Sequence, residues 1–560
     1  MNYGRWNISG YDRQRAVQLL KRGINPLVSV LLSSRGVEDS KIDGLIGRTK
    51  PEIYDPFLLK DMDRAVERVR LAIENHETIA VYGDYDVDGI TASCLMMDYL
   101  KGKGAKCVLH IPERLGDGYG VKMHTLDMLK EAGASLIVTV DCGMSADEEC
   151  EYAKSLGLDI VVTDHHECAG KRPDVPLVNP RRPDCPYPGK SLAGVGVAFK
   201  LVCALEGADK LDEMLDRYAD LVAIGTIADV MDVTDENRAI ISHGIKVARK
   251  GKRPGIAALC RTSGVEPERI TASTVGFVIA PRINAAGRIG DTQLAVNLIT
   301  ADNEADAEKY AAELCDLNTR RREIESEMFA EAVEMIERRG DDKGMIVLAS
   351  HTWHQGIAGI IASRLTDKYR RPAIVICIKD GIGRGSCRSF GDFELLSAIT
   401  YAGDLLINFG GHKAAAGITI AEENIDEMRD KLREYYLDYM SSGERTVYDV
   451  DFEVVKPGLL TLENVESLKT MEPFGNGNPQ PLLCMMNAEA WGVMALSGGK
   501  HMKFRVRKNG ECYECVCFGK SPEDIGVRNG DTVDIAFTPQ VNEYRGKRSV
   551  QFLITDIYIH

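Results

Sequence analysis

Short apolar segments alternate with amphipathic segments of helical spacing between residues 61 and 163. The apolar segments cover residues 78–83, 106–111, 135–140 and 159–163. The amphipathic segments cover residues 61–75, 89–100, 121–132 and 146–156. Parallel strands are buried on both faces and are joined by crossover helices, so this alternation predicts a parallel β-sheet with helices on both sides.

The rest of the chain extends this core into a multidomain α/β protein. At about 100–200 residues per domain, 560 residues predict three or four domains. A charged run of helical spacing predicts one long connecting helix, since a structureless loop of that length is unusual. Alternating and β-branched runs near the C-terminus predict about five strands and a small barrel of the OB type. The predicted segments are an N-terminal lead-in over 1–55, the parallel-sheet domain over 56–300, the connecting helix over 301–340, a second α/β domain over 341–445 and the barrel over 446–560.

Charge and composition narrow the classes of function. The chain has 69 Lys and Arg against 84 Asp and Glu, a net charge of −15, so any nucleic-acid site has to be a local basic patch. No apolar run approaches the roughly 18 residues of a membrane span, and the N-terminus lacks the profile of a signal peptide. Scattered cysteines, 15 in number, favour a reducing cytosol over a disulfide framework. We therefore expect a cytoplasmic protein that does not act on a membrane.

Three of the predicted strands end in acidic or imidazole side chains. These side chains are Asp84, Asp86 and Asp88, then Asp141, and then Asp164, His165 and His166. One Asp-rich turn alone is usually a solvated loop or a helix cap. In a doubly wound sheet, however, ligands bind beyond the carboxyl ends of the strands, so these groups should share one crevice. Crowded carboxylates repel one another unless cations lie between them, and oxygen with imidazole ligands suits Mn²⁺ or Mg²⁺. The pattern predicts a site for two divalent cations, which can support phosphoryl transfer.

At these residues the sequence resembles the DHH phosphoesterase superfamily. Asp164-His165-His166 matches its name-giving triplet, and the segments 84–89 and 140–143 resemble its first two motifs. Asp229 lies in a segment similar to the fourth acidic motif. Segments 281–288 and 353–357 resemble motifs of one branch, the RecJ-type single-strand-specific exonucleases, and segments 410–412 and 415–417 are similar to the DHH-associated second domain. The resemblance extends from about residue 50 to residue 560, with the motifs in the same order.

The resemblance implies a role for each motif residue. Asp141 would bridge the two cations, His166 would face the scissile phosphate, and Asp164 would orient a neighbouring histidine. Small-molecule phosphatases of the superfamily often carry a histidine at the position of Tyr82. Because Tyr82 stands there in this sequence, Asp84 would coordinate the first cation instead. The implied catalytic residues are His166, Asp164 and Asp141, and the implied metal ligands are Asp84, Asp86, Asp88, Asp141, His165 and Asp229.

Basic residues near these motifs are candidates for phosphate contacts. The segment 381–389 combines arginines, hydroxyls and glycines, and glycines let backbone amides approach a phosphate while Arg offers paired donors. The alternative for the segment is a plain Gly-rich hairpin, and for each arginine a surface ion pair. In RecJ-like proteins these segments hold the nucleic-acid backbone or its 5′ end. The resemblance therefore implies DNA contacts by Ser386, Arg388 and His412. Arg114, just after the second strand, is a candidate for a 5′-phosphate pocket, and Arg282 and Arg288 are further candidates.

The C-terminal region carries the expected local basic patch. Single-strand-binding OB-folds combine a basic groove with aromatic stacking platforms. The candidate contacts are Lys503, Arg505, Arg507, Tyr544 and Arg545, with a soluble basic strand edge as the alternative. Cys512, Cys515 and Cys517 have a spacing that suggests zinc, but no second Cys or His pair lies close by, so we interpret them as strand residues.

Together these features predict a metal-dependent exonuclease that degrades single-stranded DNA from the 5′ end to mononucleotides in DNA repair and recombination. Its expected cofactors are two divalent cations, Mn²⁺ or Mg²⁺, and its expected partners are single-stranded DNA, a helicase and a single-strand-binding protein. One alternative is an oligoribonuclease or phosphoadenosine-phosphate hydrolase of the same superfamily. Another is a non-catalytic replication scaffold.

Overall fold

The computed structural model describes residues 5–49, 52–114, 116, 118–167, 170–340, 343–441 and 447–560. The chain forms two compact units. One consists of Glu52–Gly443 with Gly475–Gly477, and the other consists of Met1–Pro51, Glu444–Phe474 and Asn478–His560. Within the described residues, no helix has the length and apolar character needed to cross a membrane.

The first unit is built on a parallel sheet, as the sequence predicts. Its strands lie in the order Lys106–His110, Thr78–Tyr82, Ala134–Val140, Asp159–Thr163 and Leu177–Val178, and neighbouring strands are parallel. The edge strand Leu177–Val178 is too short, in a proline-rich stretch, to be recognised from the sequence. Because the carboxyl ends of these strands share one edge, the motifs that follow them converge there.

Helices cover both faces of this sheet. Strand residues Ile79 and Val81 pack into one apolar core, whereas Ala80 and Tyr82 pack into another on the opposite face. The first core includes Met62–Glu74, Val87–Gly102, Gly194–Glu206 and Leu211–Ala228, and the second includes Met123–Glu131 and Asp147–Ser155. Further helices are Asp235–Arg249, Pro254–Thr262, Ala280–Ile289 and Thr292–Thr300.

A helix of 36 residues, Glu304–Arg339, leads to the second α/β domain, as expected. That domain's sheet has the order Leu406–Gly411, Ala415–Ala421, Ile382–Arg388, Ala373–Lys379 and Ile346–Ser350, with helices Gln355–Tyr369, Leu395–Tyr401 and Ile425–Ser441.

The Gly-rich segment 381–389 belongs to a β-hairpin: Gly381 lies in the turn, and strand Ile382–Arg388 pairs antiparallel with Ala373–Lys379. Along this strand Gly383 and Gly385 alternate with Arg384 and Ser386, so the glycines share one face. A Cβ at Gly385 would lie 2.6 Å from Ile418 Cγ1. The glycines therefore allow close packing against the neighbouring strands.

The second unit contains the predicted barrel. Its strands lie in the order Phe452–Glu453, Leu483–Leu496, His501–Lys508, Glu511–Phe518, Lys547–Ile559 and Thr532–Tyr544. Pairing of Leu483–Leu496 with Thr532–Tyr544 closes the sheet. The sequence did not predict Leu483–Leu496, because register shifts and the positive φ angles of Asn487 and Gly492 break its alternation.

Of the predicted lead-in over residues 1–55, the described residues 5–49 belong to the barrel unit and residues 52–55 belong to the first unit. Strand Arg5–Ile8 pairs in parallel with Val447–Val450, and the helices Arg13–Lys21, Pro26–Ser34 and Asp39–Leu45 contribute to the core of the barrel unit. Leu31 is fully buried in that core. Short amphipathic helices cannot bury their own apolar faces, so these pack on the distant C-terminal strands.

Candidate metal centre and active site

The first motif lies at the start of a helix that begins directly after strand Thr78–Tyr82. Asp86 is the N-cap of helix Val87–Gly102 and accepts a hydrogen bond of 3.1 Å from Gly89 N. A helix N-terminus favours negative charge through its free amides and its dipole. Asp84 is buried beside this turn, and its Oδ1 has no hydrogen-bond partner among the described residues.

Asp88 is buried and held by a second helix. Its Oδ2 accepts a hydrogen bond of 2.6 Å from Gly194 N, and its Oδ1 accepts one of 2.8 Å from Val195 N. These amides begin helix Gly194–Glu206. The carboxylate therefore has a fixed orientation before any cation binds.

Asp141 and His165 form the centre of the cluster. Asp141 follows its strand in the left-handed conformation, with φ 64°, and its amide donates to Thr163 O at 3.0 Å. His165 Nε2 lies 3.1 Å from Asp141 Oδ1, 3.5 Å from Asp229 Oδ2 and 3.8 Å from Asp88 Oδ2. Carboxylates from three segments thus surround one imidazole nitrogen.

Asp164 does not point at this centre but organises the two histidines. Its Oδ1 accepts hydrogen bonds from the amides of His165 and His166, at 2.7 and 3.1 Å, and lies 2.8 Å from His166 Nδ1. Its Oδ2 accepts a hydrogen bond of 2.8 Å from Met144 N. The Tyr119 hydroxyl lies 3.0 Å from the same His166 nitrogen. This arrangement supports the orienting role that the resemblance implies for Asp164.

The acids and His165 of the metal-site cluster have shifted pKa values that favour binding of a cation. Burial, followed by the charges of nearby carboxylates, raises the pKa of Asp84 to about 8 and that of Asp229 to about 7, and it raises the pKa values of Asp88 and Asp141 well above their usual range. Burial, with the neighbouring His166, lowers the pKa of His165 to about 3. A neutral imidazole and crowded carboxylates are the forms that bind divalent cations.

His166 has the opposite electrostatics. Burial works to lower its pKa, but the hydrogen bond from its ring to Asp164 and the charges of Asp164, Asp229 and Asp88 outweigh that effect and raise the pKa to about 9. Its ring is partly exposed at the crevice. A protonated His166 is suited to contact a phosphate oxygen.

The donor atoms fit divalent cations. Three sets of potential ligands have their donor atoms within 4.8 Å of one another: Asp84, Asp86 and Asp141; Asp88, His165 and Asp229; and Asp141, His165 and His166. Within the described structure, five buried side-chain atoms of these residues lack a hydrogen-bond partner: Asp84 Oδ1, Asp141 Oδ1, His165 Nδ1, His165 Nε2 and Asp229 Oδ2. Such unpaired buried atoms are costly without a ligand. Asp141 belongs to two sets, as its implied bridging role requires.

Three predicted arginines come together next to this cluster. Burial, followed by the charges of Arg114, Arg321 and Arg388, lowers the pKa of Arg288 to about 10, while Asp86 opposes the shift. Burial likewise lowers the pKa of Arg388. Arg288 and Arg388 donate to the carbonyls of Gly356 and Cys387, and neither forms an ion pair with a described acid. Adjacent, partly buried guanidinium groups without acidic partners among the described residues are suited to bind an anion.

The other candidates of the catalytic unit have different surroundings. Ser386 lies beside Arg388, since a Cβ at Gly359 would lie 3.7 Å from its Oγ and 3.1 Å from Arg388 Nη2. His412 is exposed, with Nδ1 4.0 Å from Glu167 Oε2. Arg282 donates a hydrogen bond of 2.8 Å to the carbonyl of Val278 on its own helical segment. Its role in DNA binding stays a prediction.

Most of the basic strand in the barrel is neutralised by acids from other strands. Lys503 and Arg505 lie 3.1 and 3.6 Å from Glu514 Oε1, and Arg507 Nη2 lies 2.6 Å from Glu489 Oε2. The spacing of lysines and arginines along one strand does not reveal these partners. Arg545 stacks on the exposed ring of Tyr544, 5.2 Å from its centroid. This pair is the better candidate for a nucleobase contact.

Two exposed apolar residues lie on segments at or beside the end of the helix that leads to Asp229, and the sequence pattern does not reveal them. Phe277 is 81% exposed on a π-helical turn, Val275–Ile279, and Val230 is 66% exposed directly after Asp229. A Cβ at the adjacent Gly276 would lie 3.6 Å from Ile227 Cγ2, so this turn packs next to the helix that ends at Asp229. Isolated π-helical turns are frequent at functional sites, but residue spacing alone does not predict them.

Comparisons with known proteins agree with this architecture. The sequence matches the model of the DHH family, N-terminal domain, over residues 78–226, that of the DHHA1 domain over residues 342–438 and that of the RecJ OB domain over residues 450–556. A DHH domain with a cluster of acids and imidazoles at its strand ends defines the class of the protein as a metal-dependent phosphoesterase of the DHH type.

Individual relatives narrow the class to a family. The single-stranded-DNA-specific exonuclease RecJ of Bacillus subtilis is 38% identical over 99% of this chain and 70% of its own length. The RecJ of Salmonella typhimurium is 35% identical over 96% of this chain and 97% of its own. RecJ of Thermus thermophilus, solved with Mn²⁺, superposes with a TM-score of 0.84 at 28% identity, covering 99% of this chain and 79% of that one. The same Thermus protein has also been solved with Mg²⁺, with a TM-score of 0.78 at 27% identity. The chain belongs to the RecJ family of single-stranded-DNA-specific exonucleases.

Proposed function

We propose that this metal-dependent exonuclease hydrolyses single-stranded DNA from the 5′ end and releases mononucleotides. The observation that carries the polarity is the cluster of Arg114, Arg288 and Arg388 beside the metal-site acids. A terminal phosphate monoester bears more negative charge than an internal diester, so clustered, partly buried guanidinium groups favour a 5′-phosphorylated end. Ser386 adds a hydroxyl on the same strand as Arg388.

The chain's own residues position the substrate for hydrolysis. Asp86, Asp88, Asp141, His165 and Asp229 would hold the cations, with Asp84 in support. Bound divalent cations supply an activated water and stabilise the leaving oxygen.

The second histidine of the triplet would act on the substrate itself. A protonated His166, with its ring fixed by Asp164 and Tyr119, would donate to an oxygen of the scissile phosphate. Breaking the P–O3′ bond leaves a new 5′-phosphate on the shortened strand, and the arginine cluster can bind that phosphate in the next cycle.

Two features support a single-stranded substrate. Val230 is exposed directly after Asp229, and Phe277 is exposed on the turn that packs beside the helix ending at Asp229. Unpaired nucleobases can stack on such surface. Tyr544 and Arg545 offer a second stacking position on the barrel. Bases in a duplex are already stacked and paired, so they cannot use these surfaces without melting.

The biological setting follows from this activity. We propose roles in DNA repair and recombination, where a helicase supplies the single strand and a single-strand-binding protein delivers it. All described cysteines are free thiols, which supports a cytoplasmic location.

The alternatives are not favoured. The RecJ OB domain at residues 450–556 and the overall likeness to RecJ count against a small-substrate hydrolase. The complete set of metal-ligating side chains counts against a scaffold without activity.

Cleavage of 3′-labelled single strands with a 5′-phosphate or a 5′-hydroxyl tests the polarity. Arg388→Ala should reduce the preference for the phosphorylated end by about tenfold to a hundredfold, the range for hydrogen bonds to charged groups. Arg384→Ala is the matched control, because Arg384 is exposed on the same face of the same strand. Mononucleotide release from strands blocked at the 5′ end, or an unchanged preference in Arg388→Ala, would contradict the proposal.

A further inference from the structure

Three residues from the C-terminal part of the sequence belong to the catalytic unit. Gly475–Gly477 groups with Glu52–Gly443 rather than with its sequence neighbours. Asn476 O accepts a hydrogen bond of 2.7 Å from Val233 N, and Asn476 Nδ2 donates one of 2.7 Å to Asp232 Oδ1. We name this contact between Asn476 and residues 232–233 the asparagine clasp.

The two flanking glycines permit the close approach. A Cβ at Gly475 would lie 2.6 Å from Val233 Cγ2. Gly477 has φ 71°, and a Cβ there would lie 2.9 Å from Thr234 Cγ2. Larger residues would push the clasp away from the segment that it holds.

Asp232 is the hub of the clasp. Its Oδ2 accepts a hydrogen bond of 2.9 Å from Ser191 Oγ, so both carboxylate oxygens are engaged. Asn237 Nδ2 donates to the carbonyls of Ser191 and Asp232, at 2.6 and 3.0 Å. Asp232 and Asn237 therefore join the loop at Ser191 to the loop that contains Asp232, and the clasp holds Asp232 from the other side.

Each of these loops leads directly to a metal-site acid. Ser191 stands shortly before Gly194, whose amide holds Asp88, and Asp232 stands shortly after Asp229. Asp88 and Asp229 belong to one set of potential ligands, with His165. The clasp thus fixes Asp232, the residue that joins the two segments leading to these carboxylates.

The loop after Asp229 is strained and needs such support. Val230 has φ 56°, a left-handed conformation that is unfavourable for a β-branched residue. Strained backbone of this kind persists only where surrounding contacts fix it, at a cost of the order of 1–3 kcal/mol. The clasp provides contacts immediately after the strained residue.

We infer that Asn476 is a positioning residue for cation binding, acting through Asp232 on Asp229 and Asp88. This inference rests on the proposed role of Asp229 as a metal ligand. Asn476 itself touches neither the substrate nor the ligand atoms. Its loss should weaken cation affinity and loosen the segment 229–234, while a high cation concentration should restore turnover.

The test uses the full chain and measures Mn²⁺ binding without DNA, from the electron paramagnetic resonance signal of free Mn²⁺. Hydrogen exchange of the 229–234 amides is measured in the metal-free protein. Asn476→Ala should weaken Mn²⁺ binding roughly three- to tenfold, which is the effect expected when a hydrogen bond to a charged group is lost at a surface site. Asn476→Asp should weaken it more, because a second carboxylate would face Asp232. Gln480→Ala, at an exposed position in the following loop, should behave as wild type.

The Mn²⁺ dependence of cleavage shows whether an Asn476 variant has a general structural defect or has lost only the positioning of the cation ligands. We expect the Asn476 variants to need more Mn²⁺ for half-maximal activity but to approach the wild-type kcat at saturation. Wild-type Mn²⁺ affinity in Asn476→Asp, with or without a lower melting temperature, would overturn the inference. Asp229→Asn distinguishes failure of the positioning role of Asn476 from failure of the ligand role of Asp229. If Asp229→Asn does not weaken Mn²⁺ binding, the proposed ligand role itself is wrong.

Discussion

The buried carboxylate of Asp88 accepts a hydrogen bond of 2.6 Å from the backbone amide of Gly194, at the start of helix Gly194–Glu206. The same glycine lies against Asp141, because a Cβ at Gly194 would lie 2.5 Å from Asp141 Oδ1. One residue without a side chain therefore holds one metal-site acid and leaves space for another.

This contact predicts that Gly194→Ala abolishes most activity without unfolding the protein. The added methyl group would displace Asp141 or pull the amide away from Asp88, and a displacement of about 1 Å can cost about a hundredfold in rate. Gly196→Ala is the matched control, since the atoms nearest to a Cβ there belong to the Leu192 side chain, at 3.3 Å or more, and not to a metal-site acid. Cleavage assays together with circular dichroism would measure both effects, and full activity in Gly194→Ala would contradict this account of the site.

The raised carboxyl pKa values predict that the metal-free protein loses stability in alkaline solution. Burial and neighbouring charges raise the pKa of Asp84 to about 8 and that of Asp229 to about 7, while His166 has a raised pKa of about 9. Above pH of about 6.5 the folded state binds protons that the unfolded chain has released, so the free energy of unfolding falls as the pH rises through these values. His165 has a lowered pKa of about 3, so it opposes this slope only while the unfolded histidine is still partly protonated, and it no longer contributes above a pH of about 7.5.

Thermal unfolding in EDTA between pH of about 6.5 and 9 measures this slope. Excess Mg²⁺ should flatten the dependence, because a bound cation replaces the protons on the carboxylates. Asp84→Asn combined with Asp229→Asn should flatten it in EDTA as well. A melting temperature that does not depend on pH in EDTA would show that these carboxyls are not protonated in the folded state.

Exposed Phe277 predicts a contribution from base stacking. Phe277→Ala should raise the KM for single-stranded DNA by roughly five- to a hundredfold, the equivalent of about 1–3 kcal/mol per stacked base. Phe277→Trp should keep most of the affinity, because it retains an aromatic face. Phe57→Ala provides the comparison, since Phe57 is also an exposed phenylalanine of this unit but lies outside the site. Equal KM values for Phe277→Ala and wild type would exclude the stacking role.

The ion pairs of the barrel predict that alanine substitutions of its basic residues weaken binding of single-stranded DNA to different extents. Arg545→Ala should weaken binding of long single strands and lower the salt slope by about 0.7, the value for one phosphate contact on a single strand. Arg507→Ala should change the slope little, because Glu489 already neutralises Arg507. Binding titrations at several salt concentrations would rank the two, and a larger effect for Arg507→Ala would reverse the assignment.

The sequence predicted the location of the site better than its internal geometry. Acids after successive parallel strands have to meet at one edge of the sheet, which brought Asp84, Asp141 and His165 together in advance. The resemblance to the DHH superfamily added Asp229, which lies on a distant helix end. The hydrogen bonds that fix Asp88 depend on the amide of Gly194, 106 residues away, and no local pattern indicates them.

What the sequence by itself determined is the periodicity of the elements, and hence the parallel sheet, the long helix, the barrel and the edge at which the acids gather. Only the tertiary structure decided which surfaces meet. It placed the N-terminal helices in the barrel core, paired Arg507 with Glu489, and brought Asn476 to Asp232 across 244 residues. The physical reason is that residue spacing records whether a side chain is buried, whereas its partner depends on the complementarity of segments far apart in the chain.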